Sequence, residues 1–166
     1  ASFVSNSSTE LYEILFASVS MHRGLVFFSS NKEKLACDVF QKTLDSIKHL
    51  LPPALTKNHV FNESIETSSS SSLTTYLNKN DVKSLIRNVA LTTINNLAVC
   101  MFHIGNIFES IDILENHIRI NPYIFLHHSI VYNLITCYDV AYKPTRTNSK
   151  KQILTRLVQL YHPSRQ

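Results

Sequence analysis

Only two glycines occur in 166 residues, and one of them, Gly105, divides two apolar-periodic segments of similar length. A chain so poor in glycine has few places where the backbone turns cheaply through a left-handed conformation. Before Gly105, Ile94, Leu97, Met101 and Ile104 recur on one helical face, with Asn80 or Asp81 as the N-cap. After it, Ile107, Ile111, Leu114 and Ile118 do the same, and Pro122 stops the run. The spacing predicts two antiparallel helices with Gly105 in the tight turn between them. Small residues, Ala98 and Ser110, fall where the helices cross, and Leu97, Met101 and Leu114 fill around that close approach.

The same period governs the rest of the chain. Ile14, Ser18, Met21, Leu25 and Phe28 mark a first helix starting at Thr9 or Glu10. Ala36, Phe40, Leu44, Ile47 and Leu51 mark a second, which Pro52-Pro53 ends. Both glycines, Gly24 and Gly105, are expected to let the backbone fold back, with Asn31 at the first turn. Leu126, Ile130, Leu134, Cys137 and Ala141 form a later face. "YKPTRTNS" reads as its turn, and Ile153, Leu157 and Leu160 form the last face. That last helix has Asn148 or Ser149 as its cap and Pro163 as its stop. No alternating run predicts a strand. The expected fold is all-α, a single domain over 1–166, with hairpins at 9–51, 80–122 and 123–163. Residues 52–79 hold five consecutive serines, Ser68–Ser72. They read as a flexible, peripheral insert, and the serine run reads first as a plain linker, with phosphorylation as the alternative.

Candidate chemistry is thin. There is no GxSxG, P-loop or GxGxxG, and the histidine spacings fit no metal motif. His127 and His128 are adjacent, so on a helix they point about 100° apart. They are expected to be satisfied or solvent-facing histidines. Cys37, Cys100 and Cys137 each sit in an apolar stripe and read as buried, reduced core fillers. No cofactor, no metal and no enzymatic activity are expected. Charged residues make up only 17% of the chain, below the usual ~25%, which points to surface covered by a partner or by flanking sequence, with a quiet Ser/Asn-rich surface as the alternative. The net charge of +4 is scattered, so nucleic-acid binding is not expected. No stretch reaches ~18 uninterrupted apolar residues, so no membrane insertion is expected. The opening "ASFVSNSSTE" has no leader character.

The residues Leu97-Ala98, Met101, Gly105, Ser110, Leu114 and Pro122 resemble a tetratricopeptide (TPR) repeat. The departure is His117, where that pattern prefers Ala. Gly24, Phe27, Ala36 and Phe40 fall at equivalent places in the first hairpin; Asn133-Leu134 and Tyr138 do so in a worn third one. The resemblance implies a TPR-like α-solenoid of about three hairpins, the last of them a cap. It also implies a groove on the first-helix faces, where Asn95, Asn96 and Asn133 could contact a peptide. A clamp for a chaperone tail needs Lys or Arg on those faces, and none lies between Arg87 and Arg119.

"NNLAVCMFHIG", "LHHSIVYNL" and "TCYD", within about residues 20–160, are similar to TPR-containing subunits of the TRAPP vesicle-tethering complex. That resemblance implies a scaffold bridging other TRAPP subunits. The assembly is a Rab GTPase exchange factor that acts in endoplasmic reticulum-to-Golgi transport and autophagy. It implies a cytoplasmic protein, peripheral to those membranes. The N-terminal end, around Leu11–Phe28, or the last helix is then expected to be covered by a partner. A co-chaperone-type peptide adaptor and a basic RNA- or membrane-surface module are the competing readings.

Overall fold

The structure is a computed structural model that describes residues 3–51 and 79–161. All regular structure in these residues is helical: α1 (Phe3–Ser29), α2 (Glu33–Ile47), α3 (Lys79–His103), α4 (Ile107–Ile120), a short α5 (Pro122–Phe125), α6 (His128–Ala141) and α7 (Pro144–Tyr161). The insert 52–78, with its serine run, and the expected stop at Pro163 lie outside the described residues.

Two of the turns share one chemistry. At the end of α1, Asn31 takes φ 55°. The Lys32 amide donates to the Phe27 carbonyl at 2.9 Å and the Asn31 amide donates to Phe28 at 3.1 Å. At the end of α3, Gly105 takes φ 87°, and the Asn106 and Gly105 amides donate to Met101 and Phe102 at 2.9 and 3.0 Å. Each pair is a Schellman closure, which satisfies the last carbonyls of the helix and sends the chain back along it. The third reversal is different. Tyr142 is extended, with ψ 155°, and Pro144 opens α7 directly. The turn is therefore shorter than "YKPTRTNS", and Asn148 and Ser149 lie inside α7 rather than capping it. Thr147, read as turn, is buried and donates its hydroxyl to the Tyr138 carbonyl at 3.1 Å.

Gly24 corrects the expectation that both glycines reverse the chain. It sits inside α1, where a Cβ would meet the Phe40 ring at 2.5–2.8 Å. Its role is a close approach of α1 and α2, and Asn31 makes the turn alone. The buried face of α1 accordingly runs through Ile14, Ala17, Met21 and Gly24, while Leu25 is exposed. On α7 the buried apolar residue is Leu154; Ile153 and Leu160 face outward.

Helices α1, α3 and α6 pack side by side, and α2 and α4 each fill the space between two successive members of that row. The main core joins Phe40, Ile94, Leu97, Ala98, Ile111 and Leu114 to Phe125, Ile130 and Leu134. A smaller one sets Ile14, Ala17 and Ile47 against Ile86, Val89 and Ala90. The hydroxyl of Ser110 donates to the Ala98 carbonyl at 2.8 Å, wholly buried where α3 and α4 cross. Two helical windows, Thr9–Ser29 and Asp81–His103, are long and apolar enough by composition to cross a bilayer. Counting uninterrupted apolar residues overlooked them, because serine and threonine break a run at little cost in hydropathy. The second lies in the interior of the bundle, touching α1, α2, α4 and α6. The first carries Glu10, Glu13, His22 and Arg23.

His117, where the repeat pattern prefers Ala, packs edge-on against Phe125, with ring centroids 5.3 Å apart. Its Nδ1 is 2.7 Å from the Ile113 carbonyl. Burial pushes it below the ordinary 6.5; the Ile113 bond opposes this and Lys48 adds to it.

Gly24→Ala should destabilise the fold by about 1–3 kcal/mol through overpacking, despite the better helix propensity of Ala. A double-mutant cycle with Phe40→Leu should recover part of that loss. Gly105→Ala, whose Cβ meets nothing within 4 Å, should cost about 1 kcal/mol through backbone strain alone and show no coupling to Phe40. For His117, a folded pKa below the unfolded one means its contribution to stability is complete above pH 6.5 and declines as pH falls from there toward the folded value. Urea midpoints measured from about pH 7 to about pH 5 should drop in the wild type, with a shallower slope in His117→Gln.

Candidate functional site

The described residues hold little that could do chemistry. No group of three or more His, Cys, Asp or Glu among them is placed to hold a metal ion. Cys37, Cys100 and Cys137 are free and buried. Burial raises all three thiol pKa values, with Cys100 pushed up to about 12, so they stay protonated and poorly nucleophilic. Ser110 Oγ lies 3.4 Å from Cys137 Sγ in the core, without access to solvent. His127 and His128 are exposed, with ring centroids 4.0 Å apart. His127 Nδ1 accepts the Ser129 amide at 3.4 Å, so it is the N-cap of α6, a role that residue type did not announce.

What the structure offers is surface. The inner row places Asn95 on α3 beside Asn133 on α6, and the Asn133 amide donates to the Asn95 side-chain carbonyl at 2.8 Å. Asn96 is half-buried one position further on. Phe28 of α1 meets His103 of α3 edge-on at 5.1 Å. This face carries aromatic and neutral polar groups and no Lys or Arg from α3 beyond Arg87, so it has no cations to grip a pair of carboxylates. That bond uses one donor of Asn133 and one lone pair of Asn95, so both side-chain amides keep further hydrogen-bonding capacity.

The outer side of α1 is different in kind. Tyr12, Phe16, Val19 and Val26 are between 62% and 80% exposed. With Leu15 they form one stripe along the helix, opposite the Ile14–Ala17–Met21–Gly24 face, and no described element packs on it. Four large apolar side chains aligned at helical spacing form an unpartnered seam, which single scattered exposures do not. The sequence held the signal: α1 is apolar on two opposite faces, and only one can be claimed by α2 and α3.

A third feature lies between α4 and α7. Glu115 accepts the Tyr138 hydroxyl at 2.8 Å and the Lys150 ammonium at 2.7 Å, tying α4, α6 and α7 together. Burial and the Glu115 carboxylate both raise the Tyr138 pKa. Beside this triad runs a groove of about 380 Å³ floored by Ile118, Leu134 and Leu157. Sequence reasoning missed it, because Glu115, Tyr138 and Lys150 lie on three separate helices and share no motif.

Comparison with known proteins gives a partial relation. Over 64 residues the chain is 36% identical to "Trafficking protein particle complex subunit 12" of Homo sapiens, covering 39% of this chain and 8% of that protein. The Mus musculus protein of the same name matches to the same extent. No family model matches the chain, and no solved structure does. The match spans well under two thirds of either relative, so the similarity is one of sequence to part of this subunit.

Proposed function

We propose that this chain is a non-enzymatic scaffold of the TRAPP vesicle-tethering assembly, a TPR-like solenoid that docks other subunits. The observation that carries the reading is the apolar stripe of α1, Tyr12–Phe16–Val19–Val26. A seam of this kind is stable in water only as a small patch or when covered, and a large subunit interface covers it. Three features support the solenoid: two identical Schellman turns, a small-residue crossing in each of the first two hairpins, and a row of first helices with second helices behind. Similarity to a trafficking-complex subunit over 64 residues supports the choice of partner. In this reading the chain works in the cytoplasm at endoplasmic reticulum–Golgi membranes, bridging subunits without catalysis, cofactor or metal. A co-chaperone adaptor is the weaker alternative, because the Asn95–Asn133 face lacks basic residues.

The test is affinity purification of the tagged chain from cytosol at moderate salt. TRAPP subunits should co-purify with the wild type. Phe16→Glu combined with Val19→Lys should abolish their recovery while shifting stability by less than about 0.5 kcal/mol, since both positions are exposed. Recovery of a chaperone alone, or undiminished TRAPP recovery by the double variant, refutes the reading.

A further inference from the structure

The α4–α7 groove and the segment that walls it carry a charge pattern found nowhere else in the chain. Residues 143–161 include Lys143, Arg146, Lys150, Lys151 and Arg156, and no Asp or Glu. Two of these cations are paired with carboxylates, the part-buried Lys150 with Glu115 and the exposed Lys151 with Asp139, both at 2.7 Å. Arg146 lies over the Tyr142 ring at 4.3 Å. Arg119, at the groove's α4 edge, bonds only the neutral side-chain carbonyl of Asn116 at 2.8 Å. Arg119, Arg146 and Arg156 have no carboxylate partner among the described residues.

Apolar side chains lie between these cations. Helical spacing places Arg146, Ile153, Arg156 and Leu160 along the flank of α7 next to the groove, and Ile153 lines the groove itself. Ile153 and Leu160 are 57% and 64% exposed, and Arg119 and Pro122 line the facing wall of the groove. The volume falls at the low end of the ~300–1,000 Å³ range of binding clefts. It suits a short row of aliphatic side chains rather than a bulky cofactor.

We infer that this groove docks an acidic amphipathic helix of a partner protein. Aliphatic residues of that helix at i, i+3/i+4 and i+7 seat between Pro122 and Ile153, over Leu157, and extend to Leu160. Its carboxylates meet Arg119, Arg146 and Arg156. Charge complementarity selects this occupant: an apolar trough rimmed by unpaired guanidinium groups disfavours a basic or purely apolar segment and rewards planar carboxylates. The inference rests on the reading of the chain as a docking scaffold, but uses a different face from the α1 stripe.

The test uses the whole chain and a fluorescently labelled synthetic helix with leucines on one face and glutamates on the other. Two control peptides are its sequence-scrambled form and a form with lysine for every glutamate. Anisotropy should show saturable binding of the acidic amphipathic peptide alone. Ile153→Asp should weaken it at least about tenfold. The pair Arg119→Glu and Arg156→Glu should invert the preference, so that the lysine peptide binds better. Melting curves of these surface variants check that they remain folded. Phe16→Glu with Val19→Lys should leave peptide binding unchanged, which separates failure here from failure of the α1 reading. Equal binding of the scrambled peptide, or indifference to Ile153→Asp, overturns the inference. So does either of two other results that are lost in Ile153→Asp without peptide: pelleting with phosphatidylserine vesicles, which assigns the face to a lipid surface, or concentration-dependent dimerisation, which assigns it to a second copy.

Discussion

The packing of this chain depends on two turns being closed in the same way. The amide of Lys32 reaching back to Phe27, and that of Asn106 reaching back to Met101, fix where each second helix starts and how it lies on the first. Once that register is set, Gly24 and Ala98 stand at the same distance before their turns, and Ala36 and Ser110 at the same distance after. Gly24 leaves room for the Phe40 ring, and the Ser110 hydroxyl reaches the Ala98 carbonyl where α3 and α4 cross. Leu97 and Leu114 fill the same core. Both left-handed positions use a residue that tolerates positive φ, Asn in one and Gly in the other.

This symmetry explains what the sequence disclosed and what it concealed. Gly105 was legible as a turn because periodic segments end on either side of it and no other residue there accepts φ 87° easily. Gly24 was misjudged for a physical reason. Glycine serves either conformational freedom or close approach, and sequence alone does not separate them. The Phe40 ring at 2.5 Å from its absent Cβ does. The third reversal was set too late because "YKPTRTNS" is rich in turn-forming residues. Pro144, however, suits the first position of a helix, and the hydroxyl of Thr147 serves α7 much as that of Ser110 serves α4. A polar residue bonded to a neighbouring helix's carbonyl looks in sequence like a loop residue, and its partner lies too far along the chain for periodicity to find.

The surface was less legible than the core, and unevenly so. The excess of apolar residues in α1 is readable as two stripes on one helix, and this anticipated an uncovered N-terminal face. The Glu115–Tyr138–Lys150 triad had no such signature, because its three members belong to helices with separate periodicities. The asparagines were visible but their state was not. Asn95 and Asn133 read as possible groove contacts, and the bond between them was not legible.

That last pairing shifts where recognition can occur. A face whose two asparagines share one bond has no Lys or Arg from α3 beyond Arg87 with which to attract a carboxylate. The stripe on α1 and the arginines of α7 differ: no described element packs on the stripe, and Arg146 and Arg156 have no carboxylate partner among the described residues. The low overall charge concentrates electrostatic selectivity in the segment 143–161, where cations outnumber the carboxylates packed against them.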